Sequence, residues 1–221
     1  MTFQFNTVFE YWPMYLEGLR TTIYVTLGSL IFSLILSIPL AMIKITRHKI
    51  LNFIGFLYTD IFRALPSLVQ IYLVYFAAPQ LFGITFTAMT SAFITLSMNA
   101  AAYISEALRG GILSVDIGQR EAAKALGISQ VDTLKDIVLP QALKAVFPSM
   151  INETIGLLKG TSLVSIIGVV DLMRASRQVM ADSYLSFEPL MVAAVIYYVL
   201  VKSMSMIGNR LEKRIRVSEI R

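Results

Sequence analysis

Residues 121–140 read EAAKALGISQVDTLKDIVLP and form the longest charged, non-spanning stretch in a chain that is otherwise strongly apolar. The first half consists of good helix formers, and Gly127 stands where a helix C-terminus favours the left-handed conformation. A second short helix is predicted to begin after Ser129, because Asp132 follows it three residues later, as in a capping box. The stretch therefore predicts two helices joined at a glycine, and we call residues 117–140 the knob.

The composition of the whole chain is that of an integral membrane protein. Of its 221 residues, 56% are hydrophobic and 15% are charged, and the mean hydropathy is +0.69, whereas soluble domains carry roughly 25% charged residues. The absence of Cys excludes disulfides and Cys-ligated metal sites, and a single histidine, His48, makes a His-based metal or catalytic cluster implausible. The net charge of +5 comes from cations in loops and at span ends, so we do not expect nucleic-acid binding.

Uncharged runs predict an all-α polytopic fold with five transmembrane helices. The run from Thr21 to Ile43 carries no charge and is long enough to cross a hydrocarbon core of about 30 Å. The run from Ala64 to Ser105 also carries no charge and is long enough for two crossings. Pro66 falls within the first of these two crossings, where a neighbouring helix is expected to accommodate it. The predicted spans are 21–43, about 57–79, 87–108, 140–158 and 187–208, with an irregular or re-entrant stretch at 160–170.

Basic residues predict the orientation of these spans. Lys44, Arg47 and Lys49 follow the first span as a dense basic loop, and the segment 210–221 is basic as well, which marks both as cytoplasmic. Five crossings then place the N-terminus outside and the C-terminus inside. The knob follows the third span and falls on the cytoplasmic side. Residues 1–221 are expected to form a single transmembrane permease domain.

The third span carries a polar stripe with one candidate site residue. Ser91, Thr95, Asn99, Ala102 and Glu106 recur at helical spacing and share one face. Close helix packing explains the serine and the threonine at least as well as a binding role does. Asn99 differs because it falls close to the middle of the bilayer, where a primary amide needs partners.

The fourth span carries a carboxylate at a similar depth. Glu153 lies about 20 Å beyond Pro140, where an unpaired charge costs at least ~2.5 kcal/mol and usually marks a transport pathway. Alternatively, Glu153 pairs with Lys159 or Arg63 for structure alone, although Lys159 stands on a different face of the same helix. The residues predicted to share the face of Glu153 are Ser149, Asn152 and Gly156.

The spacing of the knob resembles the EAA loop of permease subunits from binding-protein-dependent ABC importers. Glu121-Ala122-Ala123 is followed after three residues by Gly127 and after nine more by Ile137-Val138-Leu139-Pro140. Four further segments look like the polar amino acid branch of that family. They are FRALPSLVQ (62–70), AAYISEALRGGILSVDIGQREAAKALG (101–127), IVLPQAL (137–143) and NETIGLLKGTSLVSIIGVVDL (152–172). The family usually has Asp where this chain has Gly160, which leaves the role of Lys159 open.

The resemblance implies an assembly and a set of functional residues. It implies two cytoplasmic ABC ATPase subunits that bind ATP and Mg²⁺, a second permease chain expected to be identical, an external solute-binding protein and surrounding lipid. It also implies the inner or plasma membrane of a prokaryote. This chain has no phosphate-binding loop of the G-x-x-x-x-G-K-[ST] type, so it is expected to bind no cofactor and not to be an enzyme. The expected ATPase-coupling residues are Glu121, Ala122, Ala123 and Gly127, and the expected substrate-binding residues are Glu153, Asn99, Asn152, Ser149 and Lys159.

The leading hypothesis is the transmembrane subunit of an ATP-driven importer of a polar amino acid. The carboxylate of Glu153 favours a basic substrate. Import of another small polar solute is the first alternative. A secondary transporter or channel that uses Glu153 as a proton or cation site would show internal repeats and would leave the knob unexplained. A membrane enzyme is the least supported alternative, because no paired carboxylates or nucleophile-base set stands out.

Overall fold

The computed structural model describes residues 4–217, which form helices joined by short turns and, within those bounds, contain no strand. The last residues of the basic C-terminal segment, 218–221, lie outside the described residues. The α-helices are α1 Phe5–Phe9, α2 Trp12–Ile45, α3 Lys49–Ala64, α4 Ser67–Tyr72, α5 Ala78–Phe82, α6 Ala88–Ser114, α7 Ile117–Ala125, α8 Gln130–Asp132, α9 Leu139–Gly160, α10 Leu172–Ser183 and α11 Phe187–Val217. Two π-helical segments, Leu73–Ala77 and Thr133–Val138, and one 3-10 helix, Thr161–Ile167, complete the chain.

Helix α6 lies at the centre of the bundle, between α2 and α9 and against α3 and α4. It can be approached closely because α2 presents small hydroxyl residues every fourth position, Ser29, Ser33 and Ser37, all fully buried. The hydroxyls of Ser33 and Ser37 donate to carbonyls of their own helix, so they need no partner from a neighbour. On α6, Ser91 and Thr95 are likewise buried, in agreement with close helix packing, but neither hydroxyl has a hydrogen-bond partner among the described residues.

Two helices, Trp12–Ile45 and Phe187–Ile215, are each long and apolar enough to cross a membrane. Two bent pairs of helices, each counted as one span, raise the number of candidate spans to as many as four. An all-α polytopic membrane protein is therefore confirmed. The count of five spans and the sidedness of the termini stay predictions.

The predicted second span is not a single helix. Helix α3 ends at Ala64, and the next helical segment begins at Ser67 with its axis turned by 105°. Proline disfavours the helical conformation of the residue before it, and Leu65 accordingly has extended angles of φ −83° and ψ 136°. The expectation of one helix over about 57–79 with Pro66 inside it is therefore wrong. Arg63 lies in the last turn of α3.

The second helix of the knob is longer than its sequence suggests. The segments α8, Thr133–Val138 and α9 follow one another without a break, so one helical run extends from Gln130 to Gly160. The stretch predicted to be irregular continues this run as the 3-10 helix Thr161–Ile167, which stops at Gly168 with φ +98°. The fourth predicted span is thus the middle of a run that begins in the knob.

Candidate functional site

The knob has the capped geometry that its sequence predicts. Gly127 has φ +76°, and the amide of Ile128 donates to the carbonyl of Ala123 at 3.0 Å, the long bond of a Schellman turn. The hydroxyl oxygen of Ser129 accepts from the amide of Asp132 at 3.1 Å, and the hydroxyl donates to the Asp132 carboxylate at 2.6 Å. Both the left-handed stop and the capping interaction are confirmed.

The turn at Gly127 carries apolar side chains at its surface. Leu126 is 79% exposed and Val131 is 72% exposed, one on each side of Gly127. Large apolar residues exposed on a charged surface segment are candidates for a protein contact. Of the predicted coupling residues, Glu121, Ala122 and Gly127 are exposed, whereas Ala123 is buried against the protein. Sequence reasoning missed Leu126 and Val131, although their positions beside the glycine were the available signal.

Glu153 is half-buried on α9 and has no ion-pair partner among the side chains of residues 4–215. Lys159 is exposed and lines a cleft of about 420 Å³ with Tyr197 and Tyr198, whose lining does not include Glu153. Arg63 is close enough for its charge to act on the Glu153 carboxylate, but the two form no ion pair. The structural alternative, in which Glu153 is neutralised within the chain, therefore has no ion pair to support it.

The Arg63 guanidinium lies at the bend between α3 and α4. It stands 5.2 Å from the centre of the Tyr103 ring, in a cation–π contact. It also lines a cleft of about 390 Å³ together with Tyr103 and Glu106. Two other predicted site residues, Ser149 and Asn152, have exposed side chains on α9.

Asn99 is bonded into the bend at Pro66. Its amide nitrogen donates to the carbonyl of Phe62 and to the side-chain oxygen of Gln70, both at 3.1 Å. Gln70 is only 3% exposed and donates in turn to the carbonyls of Phe62 and Leu65, both at 2.8 Å. These are the carbonyls that the helix break leaves without intrahelical partners. The amide nitrogen of Asn99 is thus fully used inside the protein, and its oxygen is the atom left for a substrate.

A buried lysine, which sequence reasoning placed in the basic loop, lies instead inside the bundle. The side chain of Lys44 is fully buried, and its amine donates to Thr59 Oγ1 and Ser105 Oγ at 2.8 Å and to Glu106 Oε1 at 2.7 Å. The other oxygen of Glu106 accepts from Arg109 at 2.9 Å. This network joins α2, α3 and α6. No local signal separated Lys44 from the cations that follow it.

Comparison with known proteins gives this geometry a family context. Residues 21–217 match the family model described as "Binding-protein-dependent transport system inner membrane component". The chain is 42% identical over 91% of its length to the putative glutamine transport system permease protein GlnP of Rickettsia bellii, covering 93% of that protein. It is 40% identical over 99% of its length to the arginine transport system permease protein ArtQ of Bacillus subtilis, covering 100% of that protein.

Solved structures share the fold. The crystal structure of an amino acid ABC transporter with histidines superposes with a TM-score of 0.92 at 33% identity, covering 97% of this chain and 100% of that one. An inward-facing conformation of the MetNI methionine ABC transporter superposes with a TM-score of 0.79, covering 91% of this chain and 96% of that one. At 20% identity the second likeness concerns the fold alone. The match to the family model over residues 21–217 and the identities to GlnP and ArtQ show that this chain belongs to the family of binding-protein-dependent transport system inner membrane components.

Proposed function

We propose that this chain is the transmembrane subunit of an ATP-driven importer of polar amino acids. One observation carries the proposal: the second helix of the knob and Glu153 lie on the same uninterrupted helical run, Gln130–Gly160. A force applied at the knob can therefore be transmitted to the candidate site through a continuous backbone. This supports a coupling role for the knob, with Glu121, Ala122 and Gly127 at its surface and Ala123 fixing it to the bundle.

The proposed assembly contains two copies of this chain, two cytoplasmic ABC ATPase subunits and an external solute-binding protein. The ATPases would hold ATP and Mg²⁺, and this chain would hold no cofactor. Two identical permease chains are favoured because symmetric assemblies predominate among oligomers. Residues 1–221 would form one permease domain in the inner or plasma membrane of a prokaryote. The N-terminus would lie outside and the C-terminus in the cytoplasm, as the distribution of basic residues indicates.

The proposed substrate is a polar amino acid, with a preference for a basic side chain. Glu153 is half-buried and carries no ion pair with the side chains of residues 4–215, so a substrate cation would supply the missing charge partner. The exposed side chains of Ser149 and Asn152 and the free oxygen of Asn99 would add hydrogen bonds. Lys159 would act from a separate cleft, beside Tyr197. The name of one relative specifies arginine and that of another glutamine, so both a basic and a neutral substrate belong in the test.

Uptake by a reconstituted complex tests the function. The chain is purified with a cognate ATPase, placed in liposomes with ATP inside, and supplied with the binding protein and radiolabelled arginine, lysine, histidine, glutamine or glutamate outside. We expect uptake that requires both ATP and the binding protein. Uptake driven by a proton gradient without ATP would instead identify a secondary transporter. Transport of a different small polar solute with no amino acid uptake would support the first alternative.

A further inference from the structure

A cleft of about 450 Å³ lies between the knob and the turn that joins α2 to α3. Three of the residues that line it are cations: Arg47 from the turn and Arg120 and Lys124 from α7. Among the described residues that line the cleft, none is acidic. The remaining lining residues are Ile128, Gln130, Thr133, Leu134 and Val138.

The positive charge of this cleft is not neutralised within the chain. In the part of the chain that the structure describes, none of Arg47, Arg120 and Lys124 forms an ion pair with a carboxylate. Arg120 is fixed by a hydrogen bond from its guanidinium to the carbonyl of Ile112, and its buried Nε has no partner among the described residues. Three uncompensated cations, one of them fixed, beside the hydroxyl of Thr133 and the amide of Gln130 form a site for an anion.

The position of the cleft points to the membrane surface. Arg47 lies two residues after the last residue of α2, a helix apolar and long enough to span the bilayer. The other wall runs from Lys124 and Ile128, beside the turn at Gly127, to Leu134 and Val138 at the base of the knob. A phosphate-bearing headgroup at this depth would meet the cations, while its glycerol and first methylene groups would meet the apolar residues. Basic pockets at the cytoplasmic ends of membrane helices bind anionic headgroups in this way.

We propose that this cleft binds the phosphate headgroup of an anionic phospholipid from the cytoplasmic leaflet. The site lies between the first span and the knob, so a bound lipid would brace the base of the knob against the membrane-spanning bundle. The inference rests on the orientation given in the proposed function, which places the knob in the cytoplasm.

Native mass spectrometry of the full-length chain tests the site directly. The protein is freed of endogenous lipid, and bound molecules are counted as phosphatidylglycerol or phosphatidylcholine is added. The double variant Arg47→Gln with Lys124→Gln removes two exposed cations of the cleft and retains Arg120, which is anchored to the fold. The matched control, Lys49→Gln with Lys135→Gln, removes the same net charge from exposed positions outside the cleft lining.

We expect saturable binding of phosphatidylglycerol over phosphatidylcholine, weakened about tenfold or more in the cleft variant and little in the control. Equal loss in both variants would show a diffuse surface charge effect and overturn the proposal. Displacement of the lipid by millimolar inorganic phosphate would assign the site to a free anion and overturn the lipid assignment. Unchanged lipid binding together with weakened ATPase binding in the cleft variant would assign the cations to the protein partner. None of these readouts measures transport, so a negative result leaves the proposed function standing.

Discussion

The amine of Lys44 lies 2.7 Å from Glu106 Oε1, and this partly buried ion pair joins the end of α2 to the last third of α6. The hydroxyls of Thr59 and Ser105 also accept from the same amine, and each donates to a carbonyl of its own helix. They would therefore keep a hydrogen bond if the lysine were removed. Glu106 would lose one of its two cations and keep Arg109. Loss of the ion pair is thus the main cost expected when Lys44 is replaced.

We predict that Lys44→Met lowers the free energy of unfolding by roughly 3 kcal/mol, because it leaves Glu106 with one uncompensated oxygen in a partly buried site. The side chain of Glu106 is 19% exposed, so the loss should fall at the low end of the range for buried pairs. Thermal unfolding of the detergent-solubilised chain measures it. Lys49→Met, at an exposed lysine that begins α3, is the control and should be nearly neutral. Equal midpoints for the two variants would show that the pair contributes nothing to stability.

Gly127→Val should uncouple the ATPase from transport while the chain still inserts into the membrane. Gly127 has φ +76°, and a β-branched residue resists this conformation, so the Schellman turn at the knob should distort. We expect uptake per ATP hydrolysed to fall about tenfold, measured in the same liposomes. Gly127→Asn is the matched control, since Asn tolerates the left-handed region. Normal coupling in the valine variant would show that coupling does not depend on the left-handed turn at Gly127.

Gln70→Leu should destabilise the bend between α3 and α4. The leucine would leave the carbonyl of Leu65 without its bond from Gln70, while the carbonyl of Phe62 would keep its bond from Asn99. The expected cost is therefore that of about one hydrogen bond, roughly 1 kcal/mol. Asn99→Ala should lower the unfolding temperature by less, because Phe62 and Leu65 both keep their bonds from Gln70. If Asn99 acts only through the bend, the double variant should be worse than the sum of the two single variants, because Phe62 then loses both donors.

A rise in KM for Asn99→Ala without any change in stability would instead assign Asn99 to the substrate. The comparison needs both readouts, because loss of the bend would also displace Arg63, which lies three residues before Pro66. Gln80→Leu, at an exposed glutamine of α5, is the control for the polar-to-apolar change.

The knob could be predicted from sequence because its determinants are local. The Gly127 stop and the Ser129 cap depend on residues within five positions of each other, so the sequence pattern itself contains the interaction. The break at Pro66 was missed because its stability depends on Gln70 and on Asn99, which lies on another helix. The local sequence could not show whether side chains of another helix would bond the carbonyls freed by Pro66 within a continuous helix or at the end of a broken one.

The burial of Lys44 was missed for the same physical reason. In the sequence it stands beside Arg47 and Lys49, and a cation at the end of an apolar run usually marks the membrane surface. Its three acceptors come from α3 and α6, and the nearest of them, Thr59, is 15 positions away. Glu153 was the opposite case, because its depth within an apolar run made it a candidate site residue without knowledge of any partner.

The purified complex should contain two copies of this chain. Helices α6 and α9 present polar side chains, such as the exposed Asn152, but one chain alone supplies only one wall of a path. Mass measurement of the complex with its ATPase, formed without any paralogous permease, decides the number of copies. A stable and active complex with a single permease chain would contradict the prediction, and a requirement for a paralogue would replace the homodimer by a heterodimer.

Glu153→Gln should reduce transport of arginine or lysine more than transport of glutamine. The substitution keeps the size and hydrogen-bonding capacity of the side chain and removes its charge, so it removes the charge-assisted bond to a basic substrate. Such a bond contributes roughly 1.5–3 kcal/mol, so arginine uptake at low substrate concentration should fall by at least tenfold while glutamine uptake changes less than about threefold.

Glu17→Gln, at an exposed carboxylate near the start of α2, is the control for loss of a carboxylate elsewhere. Uptake is compared with ATPase activity and with the amount of reconstituted protein, so that a folding defect is not mistaken for a substrate effect. Wild-type rates for every substrate in the Glu153→Gln variant would make Glu153 structural, whereas an equal loss for arginine and glutamine would keep it in the pathway and remove the preference for a basic side chain.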